Sequence, residues 1–147
     1  METLATPDLH MPIASQNGFA STPLAVVRAH LAGGHDPDYL ALDATMEGPG
    51  LPGMLRGREA IARFLDTFYG AIDDPRLWLD TAFESADRAV VVLRVEGTHV
   101  GRLLGLAPTG RPIAFSVMAM YQVQHGQIRH IRASFDRLAL REQLGAA

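Results

Sequence analysis

The 147-residue chain contains no cysteine. That excludes disulfides, thiolate nucleophiles and cysteine-ligated metal centres. A basic excess is missing as well. Thirteen Lys and Arg stand against sixteen Asp and Glu, for a formal net charge of -3, which argues against a partner held by its phosphate backbone. No apolar run reaches the roughly 18 residues that span a bilayer. The first residues, "METLATPDLHMPIASQNG", lack both the basic and the apolar region of a signal peptide, so the expected location is the cytoplasm. Cofactor fingerprints are absent too: there is no G-x-G-x-x-G and no Walker loop. His30 and His35 are separated by Gly33-Gly34 and do not form a same-face helical pair, so no metal site is expected.

What is present suits one soluble domain. Hydrophobic residues make up 48% and charged residues 20%. A chain of this length buries about 68–70% of its unfolded surface. Residues 1–20 mix Thr, Pro, Ser, Asn and Gly without period and read as a flexible arm, with docking of Met11 and Ile13 as the other reading. Residues 21–147 form the domain. Ser21 or Thr22 caps a helix that starts at Pro23 and stops at Gly33-Gly34, with Leu24, Val27, His30 and Leu31 on one stripe. "HDPDYLALDA" restarts a helix, with Asp36 as cap and Pro37 first. A Gly/Pro loop comes next, then the helix "REAIARFLDTFYGAI", whose apolar face is Ile61, Phe64, Leu65 and Phe68. After "DDPR" the period changes. "LWLDTAFES", "AVVVLRVEG", "PIAFSVMAMYQVQ" and "QIRHIRASF" read as strands joined by tight turns, and "DRLALREQLG" as a closing helix. Helices first and a hairpin-linked sheet afterwards predict an α+β fold with helices on one face of a curved, mostly antiparallel sheet.

Several short motifs then occur in one order: Gly97-Thr98-His99-Val100-Gly101, Pro108-Thr109-Gly110, Gly126, Asp136-Arg137-Leu138-Ala139-Leu140 and Gln143-Leu144-Gly145. With the earlier "GPGLPGMLRGREAIARFL", this order resembles the SnoaL-like polyketide cyclase family of the nuclear transport factor 2-like superfamily, over about residues 22–145. The resemblance implies a cone-shaped, half-open barrel with a deep pocket between helices and sheet. It also implies a small-molecule polyketide ligand, no cofactor, and homodimers paired through the sheet.

Four residues are candidates for chemistry. The resemblance places an acid/base aspartate at Asp136, and a carboxylate in an apolar pocket could move a proton from an acidic C–H; the bland alternative is a helix cap. Arg132 lies four positions earlier, on the same side of a regular strand as His130, Ser134 and Asp136, where it could stabilise an enolate or alkoxide. His99 is placed near the pocket by the resemblance, though a lone histidine is more often structural. Glu47 is a second carboxylate, at a position where relatives carry histidine; Arg132 replaces a common tryptophan and Ala119 a common aspartate. These departures fit a pocket rebuilt for another ring closure. Trp78, Phe64, Phe68, Leu93, Tyr121, Tyr39, Met46 and Met118 are candidate lining, although apolar residues at such spacings are more often plain core.

The leading expectation is a cyclase that folds a linear polyketide and closes a ring. Closure is aldol-type with Asp136 as acid/base, or a cycloaddition or conjugate closure driven by pocket shape. The alternatives are an epoxide-opening enzyme on the same fold and a non-catalytic module that binds an apolar metabolite.

Overall fold

The computed structural model describes residues 2–3, 22–48, 51 and 53–145. Thr22 accepts a hydrogen bond from the Ala25 amide at 3.2 Å and caps α1, Pro23–Ala32. Proline at the first position needs no donor there. Gly33 and Gly34 end the helix, and Asp36 caps the next turn through the Asp38 amide at 2.9 Å.

That turn is where the structure departs from the sequence reading. Only Pro37–Tyr39 is helical, as one 3-10 turn, and Leu40–Glu47 is a strand, β2. The helix expected over this stretch gives way because Leu40, Ala41, Ala44 and Met46 are buried as a strand paired in parallel with the last strand of the sheet. Pairing across the fold overrides local propensity here. A two-residue strand β3, Leu55–Arg56, leads into α2, Arg58–Gly70, which buries Ile61 and Leu65 as its period predicts. Long strands come after it: β4 (Ile72–Ser85), β5 (Arg88–His99), β6 (Pro112–Gln124) and β7 (Gln127–Phe135). "DDPR" lies within β4 rather than before it, as an irregular stretch between Asp73 and Arg76. The β6–β7 hairpin turns at His125-Gly126, both at positive φ (55° and 74°), as a tight two-residue turn requires. Arg137–Gln143 forms the closing helix α3.

At the other end of the chain, Glu2–Thr3 forms a short strand, β1, antiparallel to β4, with Glu2 opposite Leu79 and Thr3 opposite Trp78. The arm therefore contributes an edge strand instead of running free throughout. Met11 and Ile13 lie outside the described residues. The seven strands run β1-β4-β5-β6-β7-β2-β3 and do not close, leaving a half-open, cone-shaped barrel. Helices α1 and α2 pack against the sheet. Two apolar clusters fill the interior. One joins α1 and α2 to Leu93, Tyr121 and Ile131, and the other joins Ile72, Phe115 and Val117 to Leu140 of α3. Among the described residues no helix is long and apolar enough to cross a membrane.

Candidate functional site

Strand alternation decides what faces the helices. Leu93 of β5 pairs with Val117 of β6, which pairs with Phe135 of β7; Ala119 pairs with Ala133, and Tyr121 with Ile131. All of these line one cavity of about 620 Å³, counted with its open mouth. Phe64, Leu65, Phe68 and Tyr69 of α2 form the opposite wall, and Met46 and Glu47 of β2 form a side. Phe64, Phe68, Leu93, Tyr121 and Met46 are thus brought together as the sequence suggested.

The same alternation reverses the face expected for β7. Ile131, Ala133 and Phe135 line the cavity, while Arg132, Ser134 and Asp136 are on the solvent side. The reason is hydrophobic burial: the apolar members of the alternation turn inward. Asp136 caps α3 by accepting from the Ala139 amide at 2.9 Å and is not part of the cavity wall. The Arg132 side chain, 64% exposed, places its Nη2 2.8 Å and its Nε 3.0 Å from Glu47 Oε1. His130 Nε2 lies 3.1 Å from Glu47 Oε2. A carboxylate only accepts, so this His130 nitrogen carries the hydrogen, and Nδ1, 2.6 Å from Thr45 Oγ1, accepts from that hydroxyl. Glu47 thus borders the cavity, while its carboxylate, with both oxygens engaged, lies on the Arg132 and His130 face of the sheet.

Three further lining candidates fall elsewhere. Met118 pairs with Ser134 on the outer face and is 57% exposed. Trp78 stands on β4 with the Arg76 guanidinium 5.7 Å from its ring centre, away from the cavity. Tyr39 ends the 3-10 turn and packs on the core. His99 is fully buried but also outside the cavity wall. Its Nδ1 accepts from the Thr109 amide at 3.2 Å, with Thr109 Oγ1 at 2.9 Å, so it ties the Pro108-Thr109-Gly110 turn to the end of β5.

Sequence reasoning missed the polar end of the cavity. His30 on α1, His35 just beyond it, Tyr69 on α2 and Tyr121 on β6 meet there. The His35 ring stacks on Tyr69 with centroids 4.5 Å apart, and its edge meets His30 at 5.5 Å. His30 lies 6.3 Å from Tyr121, centroid to centroid. His30 Nδ1 is 2.8 Å from the Asp36 carbonyl oxygen. A carbonyl only accepts, so Nδ1 carries the hydrogen and Nε2 keeps a lone pair. Burial pushes the His30 pKa down to about 4 and lowers that of His35, holding both neutral. It also raises both tyrosines above their usual range, so both stay protonated donors. One signal was available: His30 shares the buried apolar stripe of α1 with Val27 and Leu31, where a polar side chain needs an explanation. Among the described residues no group of three or more His, Asp or Glu side chains is placed to hold a metal ion.

Solved structures share this architecture. A protein described as a SnoaL-like polyketide cyclase from Jannaschia sp. CCS1 superposes with a TM-score of 0.78 at 16% identity, covering 85% of this chain and 92% of that one. TsrD from Streptomyces laurentii gives a TM-score of 0.66 at 23% identity, with 94% and 91% covered. IdmH from Streptomyces antibioticus, described as a polyketide cyclase, gives 0.63 at 25% identity, with 74% and 84% covered. A search of curated proteins finds no match. The sequence profile of the SnoaL-like polyketide cyclases matches residues 37–144. With strand order, cavity and profile in agreement, the chain belongs to the SnoaL-like polyketide cyclase family.

Proposed function

We propose that this protein is a cyclase that folds a linear, largely apolar polyketide chain and closes a carbon ring without an added cofactor. The observation that carries the reading is the cavity itself, walled by Leu93, Val117, Ala119, Ile131, Phe64 and Phe68. Such a surface binds hydrocarbon by excluding water and folds it by shape, which brings the reacting carbons together. Ring closure of this kind is redox-neutral and moves only protons and electron pairs within the substrate. Among the described residues Glu47 is the one acidic residue bordering the cavity, and its carboxylate is held by Arg132 and His130 on the outer face of the sheet. It would move a proton in an aldol-type closure only by turning its carboxylate from Arg132 and His130 toward the cavity. Asp136, at the surface, has the weaker claim. A closure governed by shape alone needs neither.

The protein would act as a cytoplasmic homodimer joined through the outer face of the sheet, where Met118 and Phe83 are 57% exposed each. Deleting the gene from the producing organism tests the cyclase reading by mass spectrometry of its metabolites. Accumulation of an uncyclised isomer of the normal product is the expected result. A species differing by one water would point to the aldol-dehydration version. An unchanged metabolite profile would overturn the reading.

A further inference from the structure

We infer that His30 is a hydrogen-bond acceptor for a ligand hydroxyl, so that the cavity selects molecules bearing a phenolic or enolic O–H. This rests on the apolar-ligand reading above and adds a chemical class to it.

One contact sets the tautomer. The Asp36 carbonyl takes the Nδ1 hydrogen at 2.8 Å, which leaves Nε2 as an acceptor. The side chain is fully buried, lines the cavity, and no protein atom among the described residues partners Nε2. Buried polar atoms are nearly always paired, so an orphan on a cavity wall is a place for a ligand atom. The fully buried His99 has the opposite arrangement: its Nδ1 accepts, and the nitrogen left over is a donor away from this cavity. The two orphans therefore differ in sign, and only the acceptor belongs to a residue of the cavity wall.

The neighbours of His30 complement it. His35 and Tyr121 meet its ring edge-on, and Tyr69 stacks on His35. No hydrogen bond engages the Tyr69 or Tyr121 hydroxyl among the described residues, so both can donate to a ligand oxygen. One acceptor beside two donors, in a wall that is otherwise apolar, matches an enol or phenol next to a carbonyl. The O–H goes to Nε2 and the carbonyl oxygen takes a tyrosine donor. A purely hydrocarbon end would leave Nε2 unpaired. A carboxylate would bring an uncompensated charge against two neutral histidines.

The test compares 1-naphthol with 1-methoxynaphthalene, which differ by the donor hydrogen, in calorimetric titrations of the intact protein. The expected result is binding of the naphthol about tenfold tighter than the ether, the net worth of one buried hydrogen bond. Adding naphthol, but not the ether, moves the nitrogen-15 resonance of His30 Nε2 upfield. In His30→Asn the Nδ2 donor serves the Asp36 carbonyl, and the acceptor that remains, Oδ1, is too short to stand where Nε2 stood, so the gap between the probes closes in that variant. Equal binding of both probes by the wild-type protein overturns the inference and leaves the apolar-ligand reading standing. So does a gap that survives in folded His30→Asn. If that variant does not fold, the wild-type resonance decides: an Nε2 signal unmoved by bound naphthol overturns the inference. Failure of both probes to bind overturns the apolar-ligand reading and this inference with it.

Discussion

Asp136 and His99 show how a side chain can be conspicuous in sequence and structural in place. Asp136 satisfies an amide at the first turn of α3. Replacing it with alanine costs about 1 kcal/mol, as for other helix caps. Thermal denaturation should show that loss while naphthol binding stays unchanged. His99 holds a turn through Thr109. His99→Ala should lower stability by about 1–3 kcal/mol, since the Thr109 amide loses its acceptor, again without changing ligand affinity. Phe64, Phe68, Leu93, Tyr121 and Met46 were legible as members of buried faces from helical and strand periods, which do not separate cavity lining from plain core. The role of His30 and His35 was not legible, because it depends on contacts with α2 and β6 that no local window contains. The expected inward face of Arg132 and Asp136 failed for a different reason. It followed a motif, whereas the alternation Ile131, Ala133, Phe135 already named the apolar side of the same strand.

Strand β6 carries the cavity's narrowest requirement. Ala119 is 2% exposed, lies between Val91 and Ala133 in the sheet, and contributes only a methyl group to the cavity wall. Ala119→Phe should fill that space. Overpacking costs about 1–3 kcal/mol, and the variant should stay folded by circular dichroism while losing naphthol binding. β2 sets another limit. A Cβ at Gly48 would fall onto the Ala133 carbonyl, so β2 reaches β7 there only as glycine. Helices α1, α2 and α3 and the strand core of the sheet were readable from periodicity and turn residues. β2 was not: "DPDY" is a sound helix start, and Leu40–Glu47 becomes a strand only because β7 offers an edge to pair with.

Taken whole, the molecule keeps His30 and His35 neutral in its interior, and its stability must follow pH accordingly. The His30 pKa falls from 6.5 unfolded to about 4 folded. Between those values the unfolded chain binds a proton that the folded one refuses, so stability is full above about pH 6.5 and is lost as pH falls toward 4. At 1.36 kcal/mol per unit, His30 alone accounts for on the order of 3 kcal/mol, and His35 acts in the same direction. The melting temperature should drop across that window, and less steeply in His30→Asn. The proposed dimer through the outer sheet face gives a separate prediction: sedimentation of the wild-type protein should report a dimer, and Met118→Glu, at an exposed position, should leave the fold intact and shift it toward monomer.

The parallel pair β2–β7 has a consequence for how the protein comes into being. It joins Thr45 to His130 across 85 residues. Closing a loop of that length costs about 4 kcal/mol of chain entropy before any contact rewards it. Contacts so distant in sequence make folding slow. On the ribosome, β4, β5 and β6 can pair while β7 is still being synthesised, and β2 must wait for it. The wall that carries Met46, Glu47 and Ile131 is thus assembled last, so a nascent chain can hold most of its sheet before it has anywhere to put a ligand.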